Sequence, residues 1–137
     1  LKSCAMNNKI NYVVLVVDDS PESLGMLNVA LNKQGYIALV ALNGAQALSI
    51  AEKIEPDVVL LDAVMPEMDG FETCRRLKLR HPNTPIIFMT GLTDVEDVVK
   101  GFEAGSIDYV TKPISPDEVI ARINTHINTA RLALSAQ

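Results

Sequence analysis

The chain has 137 residues, 48% hydrophobic and 21% charged, which is the size and make-up of one folded domain and excludes a disordered chain. Seventeen acidic against twelve basic side chains leave a net charge of −5, so no nucleic-acid surface is expected on this segment. The longest apolar run, Tyr12 to Val17, is far too short to span a bilayer, and residues 1–11 lack the apolar stretch of a secretory leader. A cytoplasmic protein without membrane contact is expected.

Residues 1–10 read as a polar tail ahead of a single domain at 11–131. The first strand is the β-branched run Tyr12 to Val17. Leu24, Leu27 and Leu31 then fall on one helical face, opened by the cap Ser20 with Pro21 at the first helical position and stopped at Gly35. A weaker strand, Ile37 to Ala41, precedes the stripe Ala47, Leu48, Ala51, Ile54. The run Val58 to Leu61 is the third strand. Asp69 with Glu72 imitates a capping box before Phe71, Cys74 and Leu77, and Asp69-Gly70 reads only as a cap. Ile86 to Met89 is the fourth strand. Thr93 with Glu96 caps the stripe Val95, Val98, Val99, Phe102, which ends at Gly105. A weak fifth strand at Ile107 to Val110 leads to the capping box Ser115 with Glu118 and the stripe Ile120, Ile123, Ile127, Ala130. That last pattern continues through 131–134, so 132–137 is expected to end the helix or to begin a linker toward an output domain.

Strand and helix thus alternate five times, and the strongest strands are apolar throughout. Unbroken apolar strands are buried on both faces, which predicts a doubly wound α/β domain around a five-stranded parallel sheet. Cys4 in the tail and Cys74 in a helix read as two free thiols in a reducing compartment. His81 and His126 lack metal-ligand spacing and read as surface residues.

In open parallel sheets, ligands bind beyond the carboxyl ends of the strands. Asp18 and Asp19 follow the first strand, Asp62 the third, Thr90 the fourth and Lys112 the fifth. Three carboxylates in one pocket repel; a pair about 4 Å apart costs on the order of 4 kcal/mol at an effective dielectric near 20. Lys112 offsets one charge, and a hard divalent ion such as Mg²⁺ suits the rest. Such a pocket suits phosphoryl chemistry, with a carboxylate as nucleophile.

Four segments make the chain resemble the receiver domain of two-component response regulators. They are Val-Val-Asp-Asp-Ser at 16–20, Leu-Leu-Asp-Ala-Val-Met-Pro-Glu-Met-Asp-Gly at 60–70, Met-Thr-Gly at 89–91, and Gly-Ser-Ile-Asp-Tyr-Val-Thr-Lys-Pro at 105–113. The resemblance implies a flavodoxin-like fold with strand order 2-1-3-4-5 and a cis Lys112-Pro113 bond. It implies Asp62 as phosphoacceptor, supplied by a histidine kinase or phosphotransfer protein. Asp18, Asp19, Asp62 and the backbone carbonyl of Val64 would hold Mg²⁺. Lys112 would pair with the phosphate, and Thr90 and Tyr109 would form the switch. The chain would be no enzyme beyond its own phosphorylation and dephosphorylation. The face made by the fourth helix, fifth strand and fifth helix would act on an output domain or partner, with a homodimer through that face also in view.

Several positions depart from parts of the family. Val64 and Leu92, beside the acceptor and Thr90, are apolar and cannot orient a water, so a long-lived aspartyl phosphate is expected. Ile107 and Ile114 stand where winged-helix regulators usually carry Asp and Phe, which favours other output modules. Asp108 receives no role. An aspartate-nucleophile phosphatase would want an acid at Val64. A partner-binding module independent of phosphorylation would not need the converging polar set. No Gly-rich phosphate loop follows Val17.

Overall fold

The structure, a computed structural model, describes residues 11–65, 68–91 and 95–135. Strands β1 (Val13–Val17), β2 (Ile37–Ala41), β3 (Val58–Asp62), β4 (Ile86–Thr90) and β5 (Asp108–Thr111) alternate with helices α1 (Pro21–Lys33), α2 (Gly44–Lys53), α3 (Gly70–Arg80), α4 (Val95–Ala104) and α5 (Pro116–Ser135). The strands form one parallel sheet in the order β2-β1-β3-β4-β5. The expected order is thus the observed one, while β1 and β5 each begin one residue later than their apolar runs suggest.

Alternation along each strand divides the core in two. Val14, Val16, Leu60, Ile87 and Met89 face α1 and α5, where Leu27, Leu31, Val119, Ile123 and Ile127 cover them. Leu15, Val17, Leu61, Ile86 and Phe88 face α2, α3 and α4, against Ala47, Ala51, Phe71, Cys74, Leu77 and Ala104. Each large apolar side chain taken fully from water contributes about 1.5–3 kcal/mol, and the central strands β3 and β4 are buried at every residue. The edge strands β2 and β5 are only partly covered, which is why their sequence signal is weak.

Local chemistry ends the elements where the sequence predicts. Ser20 Oγ accepts from Ser23 N at 3.3 Å, Asn43 Oδ1 from Gln46 N at 2.9 Å and Asp69 Oδ1 from Glu72 N at 2.8 Å, satisfying amides that the first helical turn leaves without partners. Gly35 (φ 84°) and Gly105 (φ 115°) take left-handed conformations after α1 and α4. Thr93, Leu92, Cys4 and the 1–10 tail lie outside the described residues. Cys74 is a buried free thiol that burial pushes up to about 12.

Two expectations need correction. The histidines are not ordinary surface residues: His81 Nε2 lies 2.7 Å from Ala51 O, and His126 Nε2 lies 2.8 Å from Asp108 Oδ2. Each ring bridges a helix to a neighbouring element, which spacing along the chain does not reveal. Three residues of the α4 apolar stripe also face outward, with Val95 76% exposed and Val99 and Phe102 about half exposed, while Val98 is partly buried. Gly101 and Ala104 take the inner face instead, because α4 lies so close to the sheet that a Cβ at Gly101 would stand 3.1 Å from the Phe88 ring. No helix among the described residues is long and apolar enough to cross a membrane.

Candidate functional site

The strand ends bring the candidate polar groups to one edge of the sheet. Asp18 immediately follows β1 and is held by its amide to Ala41 O at 3.1 Å. Its side chain is fully buried; Oδ1 accepts from Ser20 N at 2.9 Å, whereas Oδ2 has no hydrogen-bond partner. Asp19 beside it is exposed. Asp62 closes β3 and is buried, with Oδ1 accepting from Val64 N at 3.0 Å and Oδ2 from Lys112 Nζ at 3.2 Å. Lys112 also lies 3.6 Å from Asp18 Oδ2, an ion pair too long for a hydrogen bond. One ammonium thus serves two buried carboxylates.

Electrostatics follow from that shortage. Burial, aided by the neighbouring charge of Asp18, raises the Asp62 carboxyl above its ordinary value, against the Val64 amide and Lys112, which lower it. Burial works against the charge of Lys112, but Asp62 and Asp18 outweigh it and its pKa is raised. The structure gathers one carboxylate oxygen each from Asp18, Asp19 and Asp62 within 4.8 Å of one another. Such a hard-oxygen cluster, with a buried oxygen that accepts no hydrogen bond, fits a divalent cation of the Mg²⁺ kind.

Thr90 ends β4 fully buried, and its carbonyl accepts from Lys112 N at 2.9 Å. Tyr109 hydrogen-bonds Thr90 through its side chain and packs its ring near Phe88 and Phe102, with centroids 6.3 and 6.4 Å away. The Lys112-Pro113 peptide is cis. Val64 exposes 58% of its surface two residues past Asp62, where a phosphatase would carry an acid. The structure therefore brings together Asp18, Asp19, Asp62 and Lys112, with Thr90 linked to Lys112 and Tyr109 linked to Thr90.

Two residues here were not legible as more than local features. Gly70 is not only part of a cap: its amide donates to Ala63 O at 3.1 Å, and a Cβ there would stand 2.4 Å from Asp62 O and 2.6 Å from Ala63 Cα. The start of α3 presses directly on the backbone that carries Asp62, and only glycine allows that approach. Asp108 pairs with α5 as well as with the next backbone amide. Arg122 Nη1 donates to both of its oxygens at 2.9 Å, and His126 Nε2 and Tyr109 N reach them at 2.8 and 2.7 Å.

Residues 14–124 match the model of the response regulator receiver domain. The chain belongs to that family. This receiver domain is 41% identical over 114 residues to the DNA-binding response regulator MtrA of Mycolicibacterium smegmatis, covering 83% of the chain and 50% of that protein. It spans about half the length of the curated relatives it matches. The BeF₃-activated DrrB receiver domain superposes with a TM-score of 0.81 at 36% identity, covering 87% of this chain and 99% of that one. A CheY-like receiver domain protein from Methanospirillum hungatei shares the fold, with a TM-score of 0.87 at 24% identity over 90% of this chain and 99% of its own. Receiver domains belong to two-component systems.

Proposed function

We propose that Asp62 is the phosphoacceptor of this receiver domain, charged from a phosphohistidine on a histidine kinase or phosphotransfer protein. The observation that carries the reading is the buried Asp62 carboxylate, joined by Lys112 and placed beside Asp18, whose Oδ2 accepts no hydrogen bond. A carboxylate oxygen of Asp62 attacks phosphorus, the P–N bond to the donor breaks, and its electron pair returns to the imidazole, which takes up a proton. Lys112 and Thr90 hold phosphoryl oxygens. Asp18, Asp19, Asp62 and the Val64 carbonyl would hold Mg²⁺, which when bound supplies positive charge against the phosphoryl oxygens. The domain turns over no other substrate; its only chemistry is its own phosphorylation and dephosphorylation.

Phosphoryl charge favours whichever conformation binds it better. Thr90 and Tyr109, already joined by a hydrogen bond, carry that preference from the pocket to the face of α4, β5 and α5. The outward stripe of α4 supports that face as the output surface, read by an output module in the parent chain, a partner or a second copy. MtrA is by name a DNA-binding response regulator, so a DNA-binding module joins the non-winged-helix modules that Ile107 and Ile114 favour. Residues 11–131 form the working unit, and 132–137 end the last helix or begin the connection to that module. A cytoplasmic setting with reduced thiols suits the kinase partner.

The surface beside the pocket supports an approach of the donor from the side of α1. A groove of about 470 Å³ between α1 and α5, lined by Met26, Val29, Ala30 and Ile120, meets at Met26 a second hollow bounded by Lys112 and Pro113.

Intact mass after incubation with Mg²⁺ and a small phosphodonor tests the reading. One added phosphoryl group is expected, absent from Asp62→Asn and absent without Mg²⁺. Folded protein that takes up none, from small donors or phosphohistidine proteins alike, overturns it in favour of a partner-binding module. The adduct is expected to persist, because Val64 offers no hydrogen bond to a hydrolytic water. Val64→Asn should shorten its lifetime, and an unchanged lifetime counts against that role for Val64.

A further inference from the structure

The two edges of the sheet differ in charge. β5 begins at Asp108 and runs into Lys112, so that edge carries charge at both ends. β2 carries none. From Gln34 through Ala51 the chain has no Asp, Glu, Lys, Arg or His, the longest such stretch in the sequence, and it holds all of β2 and most of α2. No proline interrupts it. Charges, prolines and bulges are the usual means of keeping an open strand edge from pairing.

The register of β2 on β1 decides which backbone groups stay open. Ile37 N donates to Tyr12 O at 2.8 Å and Asp18 N to Ala41 O at 3.1 Å. With Val13 paired to Ile37 and Val17 to Ala41, these bonds place Ile37, Leu39 and Ala41 in the β1 ladder. Ala38 and Val40 therefore point their N–H and C=O groups away from β1, where no further strand of the sheet follows among the described residues. The amides on either side are engaged: Tyr36 N donates to Leu31 O at 3.1 Å and Leu42 N to Gln46 Oε1 at 2.8 Å. Around the open groups, Ile37, Val40 and Leu42 are 43, 41 and 48% exposed.

We propose that β2 is a self-association edge, on which two copies pair β2 antiparallel to β2 about a two-fold axis perpendicular to the sheet at Leu39. Ala38 of each copy then faces Val40 of the other, and both facing pairs exchange two N–H···O bonds. Leu39 meets Leu39 between them as the close, non-hydrogen-bonded pair, with Cα atoms about 4.5 Å apart. An axis at Ala38 would call on the amide of Tyr36, and one at Val40 on that of Leu42, so the Leu39 register is the one that uses open groups alone. The same rotation sets α2 antiparallel to α2 on one side of the joined sheet. Its exposed residues include Ala45 and Ser49, small side chains one turn apart. A second copy is favoured over another strand because an isologous contact brings like beside like. A charge there would meet its own sign, and this stretch has none although the chain as a whole is 21% charged. The edge lies at the opposite end of the sheet from β5 and needs no phosphoryl group. A joint of one strand and one helix from each copy lies near the lower end of specific contacts, on the order of 1,000 Å² in total, and is expected to be weak and reversible.

Sedimentation equilibrium of the unphosphorylated chain, joined to amide hydrogen exchange at low and high protein concentration, tests this. A reversible dimer is expected that weakens less than about threefold as salt rises from about 0.05 to about 0.5 M, because the joint has no charge pair to screen. The amides of Ala38 and Val40 should exchange at least about tenfold more slowly in the dimer. Ala38→Pro removes an outward donor and leaves the β1 ladder intact; a monomer with unchanged circular dichroism is expected. Val40→Lys and Val40→Glu each set like charges at diagonal positions about 7–8 Å apart across the joint. Each is expected to be monomeric alone, while an equal mixture of the two dimerises, which separates specific pairing from loss of fold. A wild-type chain still monomeric at about 1 mM overturns the proposal. So does a dimer that survives Ala38→Pro and both Val40 variants, or one that leaves the Ala38 and Val40 amides unprotected. Each of these results leaves the phosphoacceptor reading untouched.

Discussion

Asp62 and Asp108 are carboxylates withdrawn from solvent on two strands of one sheet, and their surroundings are opposites. Asp108 is fully partnered: Arg122, His126 and the Tyr109 amide meet its oxygens within 2.9 Å, and they hold its carboxyl below the ordinary value although burial pushes the other way. Asp62 shares a single lysine with Asp18, and burial raises its carboxyl. The first arrangement stabilises the fold by joining β5 to α5. The second leaves carboxylate charge under-neutralised, which weakens the folded state and suits the cation and phosphoryl group proposed for the pocket. Functional sites commonly retain such unsatisfied groups.

Substitution should separate the two. Asp108→Ala leaves Arg122 and His126 without their shared acceptor and is expected to lower stability by about 3 kcal/mol, read as an earlier urea midpoint. An unchanged midpoint would remove the contrast. Gly70→Ala forces a methyl against the Asp62 and Ala63 backbone; a loss of about 2 kcal/mol is expected, with weaker Mg²⁺ binding because the acceptor strand end must shift. Asp62→Asn works in the opposite sense. It removes a desolvated charge and its repulsion with Asp18, and a gain of about 1 kcal/mol, or a few degrees in Tm, is expected without metal.

The smallest effect is a pH dependence, with opposite signs at the two sites. A carboxyl raised on folding binds its proton more tightly in the folded state, so the penalty at Asp62 sets in as pH rises from the ordinary carboxylate value through the raised one. The advantage of Asp62→Asn should therefore be full near neutral pH and fade on acidification. Asp108 is depressed on folding, so its contribution is present above the ordinary carboxylate value and is lost as pH falls toward and through the depressed one. Thermal denaturation of both variants and the wild type across that range checks the two signs.

Most of the pocket was legible because each of its groups ends or directly follows a strand, and apolar runs mark strand ends well. Asp18, Asp62, Thr90 and Lys112 needed only the parallel topology to converge. The partners of Asp108 were hidden because Arg122 and His126 lie 14 and 18 residues away, and the rotation of α5 against β5 is fixed by packing rather than by any local pattern. Gly70 looked like a cap because a close backbone approach leaves no trace beyond the glycine itself. The outward face of α4 was misleading for a related reason. Periodicity reports that a helix is amphipathic, but the small residues Gly101 and Ala104 decide how closely it can lie on Phe88 and hence which face is covered.

The central claim is that the Asp62 pocket is held under-neutralised for a cation. Its most direct test is a Mg²⁺ titration of the melting temperature of the wild type and of Asp62→Asn. Ligand binding to the folded state stabilises it as the logarithm of ligand concentration over Kd. Mg²⁺ should raise the wild-type Tm progressively and erase the metal-free advantage of Asp62→Asn, which should respond far less. A wild-type Tm that ignores Mg²⁺, or one that rises in parallel with the variant's, would contradict the account.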